Sequence, residues 1–390
     1  MRMRIKTLNA ISPSGLSRFP SDLYEVTSDG GDPPVAILVR SADMHAMELP
    51  DSVLAVARAG AGTNNIPISE LTERGIVVFN TPGANANAVK ELVIAGALLN
   101  ARNLFPAAVY VRDLEGTDEE MTKAVEAGKK KFVGYELPGR TLGVIGLGAI
   151  GVEVANAALA LGMNVVGYDP QITIRHAWQL SRDVERADSI EEVFSKSDMV
   201  TLHVPLVDGT RGLVNTQRLS LMRPGGLLLN FARAAIVDEQ AVLDALDGGQ
   251  LRGYVCDFPS RALNRHPAVM ALPHLGASTG EAEDNCAAMA ADELRDFLEK
   301  GEIRNSVNLP EARLPRSEGT TRVLIINRNV PNVVSDISTA LGDAGLNIAD
   351  LLNKSRGEVA VTIVDVDGDI PANMTQQLQS LEGVIRARLV

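Results

Sequence analysis

The sequence predicts an α/β protein with two doubly wound, Rossmann-like domains followed by a small α+β domain of order βαββαβ. Three observations support this. The chain has 390 residues, which at about 150 residues per domain suggests two or three domains. Short apolar runs alternate with helical patterns over residues 1–84 and again over 141–256, as in parallel sheets. The last 70 residues have a different pattern, in which two strands follow one another directly.

In the N-terminal part, apolar runs predict strands at 33–39, 53–59 and 76–79. A helical pattern at 68–74 lies between the last two. The Ala- and Leu-rich segment 86–102 predicts one long helix. This alternation favours a parallel sheet covered by helices.

The middle block contains five apolar runs, and helical segments lie between them: TLGVIG, NVVGYD, DMVTLHVP, GGLLLNFA and GYVCD. Five strands that alternate with helices are typical of a doubly wound sheet. Ligands bind such sheets at the carboxyl ends of the strands. Functional residues are therefore expected directly after these runs.

Composition excludes several classes of protein. The chain has 37 Lys and Arg against 49 Asp and Glu, a net charge of −12, which argues against nucleic acid or an anionic membrane as partner. Two cysteines, Cys256 and Cys286, are too few for a disulfide framework and indicate a reducing compartment. No apolar run approaches the roughly 18 residues of a membrane span, and the N-terminus has no signal-peptide pattern. We expect a soluble, cytoplasmic protein without a metal site.

One glycine motif carries chemistry. Gly146, Gly148 and Gly151 form G-L-G-A-I-G directly after an apolar strand and at the start of a helix. In a dinucleotide-binding fold the three glycines permit the tight turn, the approach of the pyrophosphate and the close packing of helix on strand. The pyrophosphate would lie at the helix N-terminus, at Ala149 and Ile150.

Asp169 supports the same interpretation. It ends the next strand, eighteen residues after Gly151, where an acid accepts hydrogen bonds from the adenosine ribose. Pro170 and Gln171 follow, and neither suits a 2′-phosphate, so the sequence favours NAD over NADP. The alternative is that the glycines serve chain geometry alone and Asp169 caps a turn.

Two further residues follow apolar strands. Arg233 lies in N-F-A-R-A-A-I-V-D-E and His274 in L-P-H-L-G-A-S-T. Hydride transfer to a 2-keto acid needs a cation for the carboxylate and a proton donor for the carbonyl oxygen, and these side chains are of the right types. A lone histidine after a strand is more often a packing or surface residue, so residue type alone does not decide its role.

Together these residues resemble the D-isomer-specific 2-hydroxyacid dehydrogenases over essentially the whole chain. The shared motifs occur in the right order: R-A-G-A-G-T-N-N-I (58–66), N-T-P-G-A-N (80–85), G-V-I-G-L-G-A-I-G (143–151), S-D-M-V-T-L-H-V-P (197–205), N-F-A-R-A-A-I-V-D-E (230–239) and L-P-H-L-G-A-S-T (272–279). The resemblance implies NAD-dependent oxidation of 3-phospho-D-glycerate to 3-phosphohydroxypyruvate, the first step of L-serine biosynthesis.

The resemblance also implies roles for individual residues. Arg233 would bind the substrate carboxylate and carbonyl, and His274 would be the acid/base. Asp257 would lie near the nicotinamide carboxamide. Other positions are expected to line the cofactor cleft or to bind substrate: His203, Val204, Pro205 and Ala232 for the cofactor, and Arg40, Arg58, Gly62 and Asn85 for the substrate. Arg40 and Arg58 are candidates for phosphate recognition, with structural ion pairs as the alternative.

One departure from the family concerns His274. The family has a Glu shortly after the position of Asp257, where it orients the histidine. This sequence has F-P-S-R-A-L there and no Asp or Glu between Asp257 and Glu281. The orienting carboxylate is therefore missing, or its role is taken by a group from elsewhere, such as Glu281, Glu283 or the substrate phosphate.

The resemblance divides the chain into domains. We expect a substrate-binding domain of residues 1–90 with 274–308, an NAD-binding domain of 91–273, a linker of 309–319 and a regulatory domain of 320–390. The last resembles an ACT domain, in which Asn329 and Asn347 match positions that bind an amino acid such as L-serine. Asn332 stands where Gly is usual and narrows that site. A homodimer or homotetramer is expected.

Two alternatives remain. The first is another enzyme of the family, a hydroxypyruvate or glyoxylate reductase, which would need neither the phosphate arginines nor an amino-acid sensor. The second is a non-catalytic scaffold that senses NAD, which would not need Arg233 and His274.

Overall fold

In a computed structural model, which describes residues 2–28 and 30–390, the chain forms two compact units. One contains the residues up to Ala84 together with Gly280–Val390, and the other is Asn85–Thr279. The chain therefore leaves the first unit once and returns to it.

The N-terminal part of the first unit is a five-stranded parallel sheet of order β2-β1-β3-β4-β5. Strands β3 to β5 are buried on both faces, which is why they consist of apolar residues. The elements are β1 (Met3–Leu8), α1 (Pro13–Leu16), β2 (Tyr24–Thr27), β3 (Ala36–Val39), β4 (Ala55–Arg58), α2 (Ile68–Glu73) and β5 (Val77–Phe79).

The second unit is a seven-stranded parallel sheet of order β12-β11-β10-β9-β6-β7-β8. Its elements are α3 (Ala86–Ala101), α4 (Leu104–Arg112), α5 (Asp118–Gly128), β6 (Thr141–Ile145), α6 (Ala149–Ala160), β7 (Asn164–Tyr168), α7 (Ile174–Gln179), β8 (Glu185–Arg186), α8 (Ile190–Lys196), β9 (Met199–Leu202), α9 (Thr216–Leu219), β10 (Gly226–Asn230), α10 (Glu239–Asp247), β11 (Leu251–Cys256) and β12 (Val269–Ala271).

The strand order reverses between β6 and β9, and this is the point at which doubly wound sheets bind their ligands. The five predicted strands are present. Two more, β8 and β12, form the edges of the sheet, and they have only two and three residues. The apolar strand expected before His274 is β12, whereas β8 consists of two exposed charged residues and was not predicted.

The chain returns to the first unit through the long helix α11 (Gly280–Lys300). A four-stranded antiparallel sheet of order β14-β15-β13-β16 follows. Its elements are β13 (Thr320–Arg328), α12 (Val333–Asp343), β14 (Ile348–Arg356), β15 (Val359–Asp367), α13 (Met374–Gln379) and β16 (Val384–Leu389). This is the predicted βαββαβ order.

The antiparallel sheet packs against its own unit. Leu324 and Ile363 of that sheet share one hydrophobic core with Phe297 and Leu298 of α11. The expected linker also contributes, since Leu309, Ala312 and Leu314 are buried. Two compact units are thus seen where three domains and a linker were expected, and the finer division of the first unit stays a prediction.

By length and apolar composition, no single helix of the described chain qualifies to cross a membrane. One pair, α3 and α4, passes that test only when taken together, and it is bent by 65° at the break.

Candidate active site

The glycine turn joins β6 to α6 at the reversal point of the sheet. Gly146 has φ +93°, a left-handed conformation that favours glycine. A Cβ on Gly151 would lie 1.9 Å from the carbonyl oxygen of Gly146, and a Cβ on Gly146 would lie 2.7 Å from that of His203. The first and third glycines of the motif are therefore required for the chain to pack here.

Gly148 is different, because a Cβ there would meet no atom within 4 Å. It directly precedes α6, and among the described residues no side chain caps that helix. The N–H groups of Ala149, Ile150 and Gly151 precede the first helical hydrogen bond, which Val152 donates to Gly148. Free space beside uncapped N–H groups fits a pyrophosphate.

Asp169 follows β7 and faces this turn. Its carboxylate accepts hydrogen bonds from the N–H groups of Leu147, at 2.9 Å, and Gln171, at 2.8 Å. The acid therefore stabilises the turn, and it is half-buried, with further acceptor capacity for a ribose hydroxyl. Both roles considered for Asp169 in the sequence are compatible with this position.

His203 follows β9, the strand next to β6. Its backbone N–H donates to the carbonyl of Ile145 at 2.7 Å, and its Nε2 lies 3.0 Å from Oγ1 of Thr201. Burial lowers the pKa of His203 to about 3, so its ring is neutral at neutral pH. Val204 and Pro205 continue from it along the edge of the sheet.

Arg233 follows β10 and is exposed, with its Nη1 donating to the carbonyl of Ala232 at 2.6 Å. The buried Asn230 holds this segment. Its Nδ2 donates to the carbonyl of Arg233 at 3.0 Å, and its Oδ1 accepts from the N–H of Ala232 at 3.1 Å. Nδ2 also lies 3.3 Å from the hydroxyl of Tyr254. Sequence reasoning missed Asn230, although a polar residue at the end of an apolar strand was a signal for it.

His274 lies in the loop after β12. It is exposed and has φ +58°, in the left-handed region. The buried carboxylate of Asp257 accepts hydrogen bonds from the N–H groups of the next two residues, Leu275 at 2.7 Å and Gly276 at 2.8 Å. The ring of Phe258 meets the imidazole edge to face, with centroids 5.2 Å apart. Among the described residues of this unit, no carboxylate bonds to the His274 ring.

The first unit carries three of the four candidate substrate residues, Arg40, Arg58 and Gly62. Arg40 and Arg58 follow or end the neighbouring strands β3 and β4, and Nε of Arg58 donates to the carbonyl of Arg40 at 3.0 Å. Arg40 also forms an ion pair with Glu283 of α11 at 2.5 Å. A Cβ on Gly60 would lie 2.5 Å from Nη1 of Arg58, so this glycine makes room for the guanidinium.

Gly62 lies half-buried in the loop after β4. Asn85 directly precedes α3 in the second unit, and its Oδ1 is buried without a hydrogen-bond partner among the described residues. Such an acceptor suits a donor on a ligand.

The candidate regulatory residues lie on the antiparallel sheet. Nδ2 of Asn329 donates to the carbonyl of Gly357 at 2.9 Å, and Nδ2 of Asn347 donates to the carboxylate of Asp367 at 2.6 Å. Asn332 has φ +73° at the start of α12, a conformation that glycine adopts more easily.

The seven-stranded sheet therefore brings the cofactor and catalytic candidates to one edge. The Gly146 turn, His203, Arg233, Asp257 and His274 follow β6, β9, β10, β11 and β12 respectively, and these strands are neighbours in the sheet. Because the strands are parallel, their carboxyl ends meet at the same edge. This edge can hold a dinucleotide beside a cation and a proton carrier.

Comparison with known proteins agrees with this geometry. Residues 107–276 match the NAD-binding domain of the D-isomer-specific 2-hydroxyacid dehydrogenases. The D-3-phosphoglycerate dehydrogenase of Haemophilus influenzae is 33% identical over 355 residues, which is 88% of this chain and 83% of that protein. The chain belongs to the D-isomer-specific 2-hydroxyacid dehydrogenases. NAD is accordingly its cofactor, as the glycine turn and Asp169 predicted.

Solved structures confirm the two Rossmann-like folds. An NAD⁺-bound 3-phosphoglycerate dehydrogenase of Entamoeba histolytica is 27% identical, with a TM-score of 0.62, and the match covers 79% of this chain and 99% of that one. The apo D-mandelate dehydrogenase of Rhodotorula graminis is 25% identical, with a TM-score of 0.68, and the match covers 81% of this chain and 100% of that one.

Proposed function

We propose that this chain oxidises 3-phospho-D-glycerate to 3-phosphohydroxypyruvate with NAD, the reaction that opens L-serine biosynthesis. One observation carries the proposal: the dinucleotide turn, Arg233 and His274 lie at the same edge of one sheet. The similarity to D-3-phosphoglycerate dehydrogenases over most of the chain supports the choice of substrate.

The chain's own residues bind substrate and move one proton. NAD, when bound, supplies the acceptor for the hydride that leaves C2. The exposed guanidinium of Arg233 exchanges its contact with the Ala232 carbonyl for the substrate carboxylate and the C2 oxygen. The His274 ring takes the proton of the C2 hydroxyl during oxidation and returns it during reduction. Asn230 keeps the Arg233 segment in place.

Arg40 and Arg58 would recognise the phosphate. Their adjacent positions at the ends of β3 and β4 bring two guanidinium groups to one end of the sheet, and a planar guanidinium binds phosphate oxygens in pairs. In this role Arg40 would exchange its pairing with Glu283 for the phosphate.

The remaining expectations concern regulation and assembly. The antiparallel sheet with the order of an ACT domain would bind an amino acid such as L-serine beside Asn329 and Asn347. Helix α4 exposes Leu104 and Phe105 and buries none of its residues, which supports a homodimer through the NAD-binding unit. Two buried free cysteines suit a cytoplasmic enzyme.

The test is NADH-linked reduction of 3-phosphohydroxypyruvate and of hydroxypyruvate in parallel, with and without millimolar L-serine. We expect a strong preference for the phosphorylated acid, which the Arg40→Gln variant loses while its rate with hydroxypyruvate is kept. Arg233→Ala and His274→Ala should abolish turnover of both acids.

Equal rates with the two acids would contradict the phosphate assignment. They would favour the second candidate, a general 2-hydroxyacid reductase, which the structural similarity to D-mandelate dehydrogenase keeps open. No turnover of either acid, with NADH still bound, would indicate a scaffold. Suppression by serine would make the C-terminal domain a sensor, and its absence would leave the catalytic proposal intact.

A further inference from the structure

The Phe258 ring occupies one side of the His274 imidazole. The two ring centroids are 5.2 Å apart and the planes are inclined at 68°, the edge-to-face geometry that aromatic rings prefer. Phe258 is half-buried while His274 is exposed. The contact therefore limits the orientations available to an otherwise open side chain.

Asp257, the residue before Phe258, fixes the backbone that carries the histidine. Both of its carboxylate oxygens accept N–H groups of the residues that follow His274, at 2.7 and 2.8 Å. His274 itself is in the left-handed conformation at φ +58°, which a non-glycine residue keeps only where its surroundings hold it. The two hydrogen bonds from a buried carboxylate supply that restraint.

Asp257 and Phe258 are themselves anchored to the sheet. They directly follow β11, and the backbone N–H of Asp257 donates to the carbonyl of Asn230 at 3.2 Å. The buried thiol of Cys256 donates to the carbonyl of Phe258 at 3.6 Å. The support for His274 thus extends from the centre of the sheet to the loop.

We propose that Asp257 and Phe258 act together as positioning residues for His274: Asp257 holds the loop backbone and Phe258 holds the ring. This arrangement takes the place of an orienting carboxylate, which none of the described residues of this unit supplies to the ring. The proposal rests on the proposed function, in which His274 is the acid/base. Asp257 would then serve the histidine in addition to any contact with the cofactor.

The ring contact can be measured without catalysis. We label the histidines of the full-length enzyme with ¹³C and ¹⁵N and assign the His274 ring signals by their loss in His274→Gln. Removing the aromatic ring in Phe258→Leu should shift these signals, because the ring current of Phe258 is lost, while Phe258→Tyr should keep them in place. His266, which lies near Asp247, is an internal reference that should not move.

A matched control is available in the other unit. Phe19 and Tyr24 form a contact of the same geometry, 5.2 Å between centroids and 62° between planes. Phe19→Leu removes a comparable ring contact and should leave both the His274 signals and turnover unchanged.

Kinetics then test the positioning role. With 3-phosphohydroxypyruvate we expect Phe258→Leu to lower kcat about tenfold with an unchanged KM for NADH, because only the orientation of the proton donor is lost. Phe258→Tyr should restore the rate to within about twofold. Asp257→Asn places an amide donor against an N–H group, so it should displace the His274 signals and lower kcat further.

Two outcomes would overturn the inference: His274 signals that are identical in Phe258→Leu and wild type, or a kcat that falls equally in Phe258→Leu and Phe258→Tyr. A fully active His274→Ala variant would instead contradict the proposed role of the histidine. In that case the spectra would still show whether Phe258 and Asp257 hold the ring, so the two failures are distinguishable.

Discussion

Glu293 is a fully buried carboxylic acid in the middle of α11. Its Oε1 accepts a hydrogen bond from Nδ2 of Asn305 at 2.7 Å, while Oε2 is buried without a partner among the described residues. Burial raises the pKa of Glu293 from 4.5 to about 8, because the charged form is poorly solvated there. The acid is thus held protonated in the native state at neutral pH.

A dependence of stability on pH follows. The folded chain binds this proton up to about pH 8, whereas the unfolded chain releases it near pH 4.5. Stability is therefore lost as pH rises between these values. Glu293→Gln cannot ionise, so its melting temperature should exceed that of wild type by several degrees at pH 8 and by little at pH 5. Thermal unfolding of both proteins between pH 5 and pH 8 checks this prediction. Glu281→Gln, at an exposed position of the same helix, is the control. If the difference in melting temperature between Glu293→Gln and wild type does not change with pH, burial does not raise the pKa of Glu293.

In the turn between β6 and α6, one glycine is needed for packing and another leaves space for the ligand. A Cβ on Gly151 collides with the carbonyl of Gly146, whereas a Cβ on Gly148 meets no protein atom. Gly151→Ala should therefore destabilise the fold. Gly148→Ala should melt like wild type and still bind NADH at least about tenfold more weakly, because the methyl group enters the space for the pyrophosphate.

Isothermal titration with NADH and thermal melting separate these two effects. Gly342→Ala in α12, where a Cβ is also unobstructed, is the control. It should lower neither the NADH affinity nor the melting temperature. NADH affinity equal to wild type in Gly148→Ala would place the pyrophosphate elsewhere.

The junction between β13 and α11 depends on a buried ion pair. Arg322 donates from Nε and Nη2 to the two carboxylate oxygens of Asp365, at 2.7 and 2.6 Å, and from Nη1 to the carbonyl of Lys300 at 2.9 Å. Both side chains are at most 1% exposed. The pair therefore ties the antiparallel sheet to the end of the helix.

Removing one partner should cost far more than replacing both. Asp365→Ala leaves the Arg322 guanidinium buried and uncompensated, so we expect a loss of about 3–5 kcal/mol in the free energy of unfolding. The double variant Arg322→Met with Asp365→Leu fills the same space with apolar groups and should recover most of that loss. Urea unfolding of the three proteins decides this, and a double variant no more stable than Asp365→Ala would show that the Lys300 contact matters more than the charge pair.

At the scale of the whole molecule, α4 is a helix whose exposed apolar residues a single chain leaves unexplained. None of its nine residues is buried, and Leu104, Phe105 and Val111 are 47%, 61% and 46% exposed. We therefore predict that α4 contacts another chain, and a second copy is the commonest partner.

Light scattering after gel filtration tests this assembly. Wild type should elute as a dimer or tetramer, and Phe105→Glu should shift it toward smaller species, because a carboxylate would be buried at the contact. Leu221→Glu replaces an apolar residue of the same unit that is 39% exposed and lies outside α4, and it should leave the assembly unchanged. If both variants keep the wild-type mass, α4 is not the contact.

The sequence alone predicted the fold class and most strands of the two parallel sheets, and it placed the candidate site at the carboxyl ends of the larger sheet, which stays a prediction. Strands buried on both faces consist of apolar residues, and the glycine turn and Asp169 have a fixed spacing. Both the apolar runs and this spacing are local patterns, so they can be recognised in the sequence. The positions of Arg233 and His274 after apolar strands were readable for the same reason. Strand β8 was missed because both of its residues are charged and exposed, and β1 and β2 were missed because polar residues interrupt their apolar ones.

The tertiary structure decided what depends on contacts between distant segments. Asp257 and Phe258 meet the His274 loop only because β11 and β12 are neighbours in the sheet. Asn230 holds the Arg233 segment through hydrogen bonds that could not be predicted from its residue type. The buried Arg322–Asp365 pair joins two strands and a helix that are far apart in the chain. Local spacing specifies strands, turns and the edge where ligands bind, whereas the packing of side chains around the histidine depends on which segments the fold brings together.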